Sequence, residues 1–209
     1  MKYGLLVEKL NMVDEKFITS EEIKRYCSIL KIDYSDAITY LTRYKYLIVI
    51  FKGIFYNPSI AERKMKSYDI GYRDAIIKAL EIKDIKNWYF GLETAVKLNN
   101  LTHEFFVMDY IINDRIGRSK PLEVLGGKIK FIKLKSSLFD FGIKRSKNLR
   151  YSCVEKTVLD MIYLKRYNGI DDRTITDHIA PYLELCSKNT LKKYAKKYNK
   201  KTEEFIESL

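Results

Sequence analysis

The pattern of apolar and polar residues over positions 17–58 predicts two helices followed by a β-hairpin. Apolar residues recur at i, i+3, i+4 and i+7 along the first helix, as Ile23, Tyr26, Cys27 and Leu30. Just before them, the run Thr19-Ser20-Glu21-Glu22 has the spacing of a capping box, in which Glu22 bonds back to the cap residue. This first helix would support the second one, which follows a break at residues 31–33.

The second helix is predicted to begin at Ser35 and to carry polar residues on one face. The spacing places Ala37, Ile38, Leu41 and Tyr44 inward, and Asp36, Thr39, Tyr40 and Arg43 together on the opposite face. Residues 46–58 are too rich in β-branched and aromatic side chains for a helix. They predict a hairpin that turns at residues 51–53, with Gly53 supplying a positive φ and Lys52 at the tip.

This order of elements predicts a winged helix-turn-helix, whose second helix enters the major groove of DNA while the hairpin lies on the sugar-phosphate backbone. The side chains expected to contact DNA are Ser35, Thr39, Tyr40, Arg43, Lys45 and Lys52. Thr39, Tyr40 and Arg43 would make groove contacts, and Lys45 and Lys52 would hold the phosphates. Arg43 is best able to specify sequence, because an arginine can pair with a guanine edge. The alternative is a small helical domain with a hairpin that binds protein, or that has no binding partner.

The rest of the pattern predicts an α+β protein with a winged helix at 1–65 and an α/β domain with C-terminal helices at 66–209. Tyr3, Leu6, Val7, Leu10 and Val13 recur at helical spacing and predict an N-terminal helix. In the second domain we predict helices over 68–82, over 88–98, from Ser152, over 171–180 with an end at Pro181, and over 187–209. We predict strands there over 105–112, 128–135, 138–143 and 149–153.

The composition is that of a folded protein with a polyanionic partner. The 209 residues are 46% hydrophobic, and the net charge of +12 favours binding to nucleic acid. No apolar run approaches the roughly 20 residues that cross a bilayer and no signal peptide is recognisable, so we expect a cytoplasmic protein without a membrane partner. Cys27, Cys153 and Cys186 lie far apart, which excludes a zinc ribbon and makes a disulfide framework improbable.

Acidic residues of the second domain suggest an alternative function. Two or three carboxylates on Mg²⁺ would make a metal-dependent nuclease or nucleotidyltransferase, and the candidates are Glu93, Asp109, Asp114, Glu155 and Asp160. Their spacing does not require such a site, and Ser152 and Glu155 have the spacing of a second capping box. No phosphate-binding glycine motif and no histidine-based triad are recognisable. We therefore expect a protein that is not an enzyme and that holds no cofactor or metal.

Two basic runs remain as additional contacts to phosphates. The first comprises Lys144, Arg145, Lys147 and Arg150, in a segment expected to be a loop. The second crowds the predicted last helix with Lys188, Lys192, Lys193, Lys196, Lys197, Lys200 and Lys201, and Tyr194 and Tyr198 lie between them. A basic helix with interleaved aromatic residues can bind along phosphates, but the same lysines can equally form a solvated face.

Several segments of the second domain carry a resemblance to a known family. After the winged helix come Trp88-Tyr89-Phe90-Gly91-Leu92-Glu93-Thr94-Ala95, a strand around Phe106-Val107-Met108, Gly127-Lys128-Ile129-Lys130-Phe131, and a run from Tyr151 to Asp160. This order resembles the AbiEi-type abortive-infection antitoxins, over roughly residues 5 to 170. The most specific piece is Glu155-Lys156-Thr157-Val158-Leu159-Asp160.

The resemblance implies a transcriptional regulator that is also the antitoxin of a type IV toxin-antitoxin system. Members of the family join a DNA-binding winged helix to an α/β antitoxin domain and repress their own operon. They counteract a nucleotidyltransferase-like toxin without needing a stable complex with it. By similarity, the expected partners are double-stranded DNA of the protein's own operator and, functionally, such a toxin. A homodimer and a plain regulator without an antitoxin role are left open.

Overall fold

The structure is a computed structural model that describes residues 2–209. It divides into two units, one formed by residues up to 84 together with 124–126, the other by residues 85–123 and 127–209. The sequence predicted the boundary near residue 65, whereas the first unit also contains the helix over residues 72–82. Among residues 2–209, no helix is both long enough and apolar enough to cross a membrane.

The first unit combines five helices with one small antiparallel sheet. In chain order its elements are α1 (Lys2–Asn11), β1 (Phe17–Thr19), α2 (Ser20–Leu30), α3 (Tyr34–Arg43), β2 (Ile48–Phe51), β3 (Ile54–Tyr56), α4 (Ile60–Met65) and α5 (Tyr72–Ile82). The sheet has the order β1-β3-β2. The predictions of α1, α2 and the hairpin are confirmed, whereas β1 was not predicted because three residues are too few to show alternation.

Local side-chain chemistry fixes where these elements begin. The predicted capping box is present before α2, because the Thr19 hydroxyl accepts from the Glu22 N–H and the Glu22 carboxylate accepts from the Thr19 N–H. The next helix begins at Tyr34 rather than at Ser35, because the Asp33 side chain is its cap and accepts from the N–H of Asp36. Gly53 has φ +79° in the hairpin turn, as predicted.

A buried carboxylate, that of Glu62 in α4, joins four segments of the first unit. It accepts hydrogen bonds from Lys16 Nζ at 2.6 Å, from the Tyr56 hydroxyl, and from the backbone N–H groups of Ser59 and Asp69 at 2.7 and 2.9 Å. Burial alone would raise the pKa of Glu62, but these donors outweigh burial and hold the pKa well below its usual range. The charged carboxylate therefore stabilises the first unit.

We predict that Glu62→Gln lowers the free energy of unfolding at neutral pH by roughly 2–3 kcal/mol, because hydrogen bonds to a charged acceptor are lost. Since the pKa of Glu62 is depressed by folding, its contribution is present above the unfolded pKa of about 4.3 and is lost as the pH falls below it. Urea unfolding at neutral and acidic pH measures both effects, with the exposed Glu21→Gln as the control. Equal losses in the two variants would contradict the assignment.

The second unit is built on a six-stranded mixed sheet covered by helices. Its elements are β4 (Trp88–Phe90), α6 (Leu92–Leu98), β5 (Asp109–Asn113), β6 (Leu122–Val124), β7 (Gly127–Lys133), a 3₁₀ turn (Ser136–Leu138), β8 (Ile143–Ser146), β9 (Leu149–Ser152), α7 (Val154–Tyr167), α8 (Asp172–Leu183), α9 (Lys188–Ala195) and α10 (Lys200–Glu207). The strand order is β6-β7-β5-β4-β9-β8. β5–β7 and β4–β9 are parallel pairs, and β4–β5 and β8–β9 are antiparallel. The chain is therefore a mixed α+β protein.

Three predictions for the second unit are wrong, and they concern the strand β4, the start of β5 and the cap of α7. Residues 88–90 form the buried strand β4 rather than the start of a helix. The strand expected over 105–112 begins only at Asp109, and Phe105 and Val107 are exposed. The cap of α7 is Cys153, not Ser152, and the Glu155 carboxylate instead accepts from the Ser187 N–H.

Two more differences concern the C-terminal helices. Pro181 lies inside α8 rather than ending it. Residues 187–209 form two helices instead of one, because the Asn199 side chain caps a new helix by accepting from the N–H of Thr202. The basic run at 144–150, expected to be a loop, is the β8–β9 hairpin with Lys147 in the left-handed conformation at its turn.

The core of the second unit contains a fully buried lysine and aspartate, Lys156 and Asp160 of α7. The Asp160 carboxylate accepts from the hydroxyls of Tyr198 and Tyr89 at 2.6 and 2.9 Å, and Lys156 Nζ lies 3.7 Å from it. Burial raises the pKa of Asp160 and lowers that of Lys156, and their mutual attraction opposes both changes. Lys156 Nζ also lies 4.4 Å from the centre of the Phe141 ring.

We predict that Tyr198→Phe lowers the free energy of unfolding by about 1–3 kcal/mol, because it leaves one oxygen of a buried carboxylate without its donor. Tyr163→Phe is a matched control, since Tyr163 packs on Tyr198 but its hydroxyl has no hydrogen bond within residues 2–209. Denaturant unfolding of both variants measures the difference. A loss as large in Tyr163→Phe would assign the effect to ring packing.

Candidate nucleic-acid interface

The outward face of α3 carries most of the polar side chains that the sequence predicted there. Ala37 and Leu41 are fully buried, whereas Ser35, Thr39 and Arg43 are exposed along one side of the helix. The Thr39 hydroxyl donates to the Ser35 carbonyl at 2.9 Å, so it is held in place on the surface of the helix. This face therefore presents hydroxyl groups, one guanidinium and the exposed carboxylate of Asp36 to solvent.

The side chains of Tyr40 and Tyr44 each point in the direction opposite to the one predicted. Tyr40 was expected to point outward, but it is half-buried and its ring stacks on Tyr3 at 4.6 Å and on Tyr46 at 5.9 Å. Tyr44 was expected to point inward, but its side chain is exposed and its ring centre is 5.9 Å from the Arg43 guanidinium carbon. Stacking with Tyr3 holds Tyr40 against α1, so the available aromatic group beside Arg43 is Tyr44.

Basic residues also lie at the hairpin tip and after α3. Lys45 is exposed and has φ +58°, and Lys52 is exposed in the two-residue turn. The Ser20 N–H donates to the Gly53 carbonyl at 2.9 Å, which places the tip beside the start of α2. The ammonium of Lys83 also lies at this tip. It is 3.8 Å from the position that a Cβ atom would take if residue 53 were not a glycine. The sequence gives no signal for this approach of Lys83, because 30 residues separate the two positions.

The residues of the first basic run do not all lie on the same side of the β8–β9 hairpin. Arg145 and Arg150 are directly paired across β8 and β9 and line one pocket. Lys144 instead donates to the Asn99 side chain at 2.8 Å, and Lys147 lies exposed at the turn. Of the four residues predicted to contact phosphates, only Arg145 and Arg150 therefore lie together in this pocket.

The second basic run does not combine lysines with aromatic residues on one surface. Its lysines are exposed and belong to two short helices and their connection, namely Lys188, Lys192, Lys193, Lys196, Lys197, Lys200 and Lys201. Tyr198 is buried against Asp160, and Tyr194 is half-buried against Phe141. The aromatic residues thus pack into the core, and the lysines form a solvated face.

Four of the five carboxylates proposed for a metal site have separate partners, whereas one carboxylate oxygen of Glu93 is buried without a hydrogen bond among residues 2–209. Asp109 accepts from the Thr94 hydroxyl, Asp114 from the Asn87 side chain, and Glu155 from the Ser187 N–H. Asp160 lies in the core with Lys156. Across residues 2–209, no three or more histidine, cysteine, aspartate or glutamate side chains are grouped so as to hold a metal ion.

Comparison with known proteins gives a likeness of fold. No family model matches the chain, and no curated protein matches it. Among solved structures, the chain is similar to the RV2827C protein from Mycobacterium tuberculosis, with a TM-score of 0.57 and 11% sequence identity. The match covers 99% of this chain and 75% of that protein. At this identity, the likeness supports the mixed α+β fold of the whole chain.

Proposed function

We propose that the first unit is a winged helix-turn-helix and that the protein is a DNA-binding transcriptional regulator. The observation that carries the proposal is the exposed face of α3, where Ser35, Thr39 and Arg43 are presented by a helix whose other side is buried. The order helix, strand, two helices and hairpin, with β1 added to the hairpin as a third strand, supports the proposal.

The first unit also carries exposed cations that could neutralise the phosphates of a duplex. Arg43 and Lys45 lie at the C-terminal end of α3, and Lys52 and Lys83 lie at the hairpin tip. Lysines at such positions neutralise phosphates without reading sequence, and they make binding depend on salt. Arg43 differs from them because its planar guanidinium can donate two hydrogen bonds to O6 and N7 of a guanine. Tyr44, which lies beside Arg43, adds an aromatic contact.

The antitoxin role implied by the AbiEi resemblance belongs to the same proposal. Its most specific motif contains Lys156 and Asp160, which are fully buried and bond within the core. This motif therefore supports a common core rather than a toxin-facing surface. We assign repression of the protein's own operon to the first unit and counteraction of a nucleotidyltransferase-like toxin to the second.

We predict that Arg43→Ala weakens binding to the operator by about 1–3 kcal/mol and leaves binding to random DNA nearly unchanged, because a base contact is lost. Lys52→Ala should weaken binding to both DNAs alike and reduce the salt slope by about 1, because a phosphate contact is lost. Electrophoretic mobility shifts with the upstream region of its gene measure both. The control is Lys64→Ala, which removes an exposed cation of α4 that is not among the proposed DNA contacts. An equal loss on operator and random DNA for Arg43→Ala would refute base reading by this residue.

We also predict that the two roles separate genetically. The wild-type chain should restore growth to cells that express the neighbouring nucleotidyltransferase-like toxin from an independent promoter. Arg43→Ala should lose repression of an operon reporter but keep this rescue, since the substitution changes only the first unit. Failure of the wild-type chain to rescue growth would leave a regulator without an antitoxin role, while the DNA-binding measurement would stand.

A further inference from the structure

The second unit contains a pocket whose lining is basic and aromatic. It has a volume of about 250 Å³ and lies between the start of β4, the loop before β8 and the β8–β9 hairpin. Its cations are Lys86, Arg145 and Arg150, and Trp88 and Phe141 contribute aromatic rings. The DNA-binding face proposed for the first unit does not include it.

The two arginines are placed where like charges destabilise a hairpin. Arg145 and Arg150 are direct partners in the antiparallel register of β8 and β9, so they project from the same side of the hairpin. Like charges directly opposite each other in a sheet are unfavourable unless an opposite charge lies between them. An anion bound in the pocket would supply that charge.

The two guanidinium groups differ in how they are held. Arg150 is fixed, since its Nη1 donates to the Lys86 carbonyl at 2.9 Å and its Cζ lies 5.2 Å from the centre of the Trp88 ring. The guanidinium of Arg145 is exposed and has no hydrogen bond or ion pair with any of residues 2–209. One arginine is thus preorganised, and its neighbour keeps all its donors for a ligand.

The surroundings of the pocket neither add to its positive charge nor cancel it, because the nearby buried Lys156 is paired with Asp160. The acidic residue of the lining, Asp140, accepts from Lys197 at 3.3 Å, so its charge is already balanced. Behind the wall, the ammonium of Lys156 lies 4.4 Å from the Phe141 ring. Gly142, with φ +64°, allows this packing, because a Cβ there would lie 2.9 Å from the Cβ of Lys156. The pocket therefore favours ligands with more than one negative charge.

We propose that this pocket binds the oligophosphate chain of a small molecule. The guanidinium fork of Arg145 and the remaining donors of Arg150 can pair with phosphate oxygens, and a single carboxylate would leave most of the positive charge of the lining uncompensated. The chain could belong to a nucleoside triphosphate or to inorganic triphosphate, since both present the same groups. The pocket would then give the second unit a small-molecule ligand, separate from DNA binding by the first.

Trp88 provides the readout, because it is the protein's single tryptophan and Arg150 lies on its ring. We predict that inorganic triphosphate changes the fluorescence of Trp88 in a saturable way, and that calorimetry gives binding of both triphosphate and ATP. AMP and sulfate should bind at least about tenfold more weakly, because they lack the extra charge-assisted bonds. ATP binding more tightly than triphosphate would identify a nucleotide as the ligand, and equal affinities would identify the phosphate chain alone.

Two alanine substitutions in the β8–β9 hairpin, one inside the pocket lining and one outside it, test the role of Arg145. Arg145→Ala should weaken triphosphate binding about tenfold or more, whereas Lys147→Ala, which removes an exposed cation outside the lining, should leave it within about twofold. Circular dichroism checks that both variants fold. The proposal is overturned if triphosphate does not bind saturably, if AMP binds as tightly as triphosphate, or if the two substitutions have equal effects. Operator binding by the first unit is measured separately and can survive that outcome.

Discussion

Ala37 and Leu41 are fully buried in the core that α1, α2 and α3 share, and this burial fixes the rotation of α3. Because the helix can present only its other side, Ser35, Thr39 and Arg43 become its solvent face. The same core holds Tyr40 against Tyr3, which removes that ring from the face. The proposed DNA surface is thus a consequence of apolar packing, and substitutions in the core would change it indirectly.

The second unit depends on a different kind of interaction. Lys156 and Asp160 are fully buried one helical turn apart, and hydroxyls from β4 and from the segment after α9 complete their bonding. A buried pair of this kind is costly unless all its partners are in place, so it favours one arrangement of these elements. The basic pocket lies on the surface above this network, with Phe141 between them.

The features that could be predicted from sequence are those set by nearby residues. The Thr19 capping box and the Gly53 turn depend on side chains within a few positions, and both are confirmed. β4 could not be predicted, because three buried aromatic residues show neither alternation nor helical periodicity. The pairing of Arg145 with Arg150 and the approach of Lys83 to Gly53 depend on register and tertiary packing, so spacing along the chain did not indicate them.

The most direct test of the account is a titration of the 209-residue chain with its own upstream DNA at several salt concentrations. We expect the logarithm of the binding constant to fall linearly with the logarithm of salt concentration, because phosphates are neutralised by lysines and arginines. At near-physiological salt, a shuffled duplex of the same length should bind at least about 10³-fold more weakly. Equal affinity for the two duplexes, or no binding to either, would contradict a regulator that reads its operator through α3.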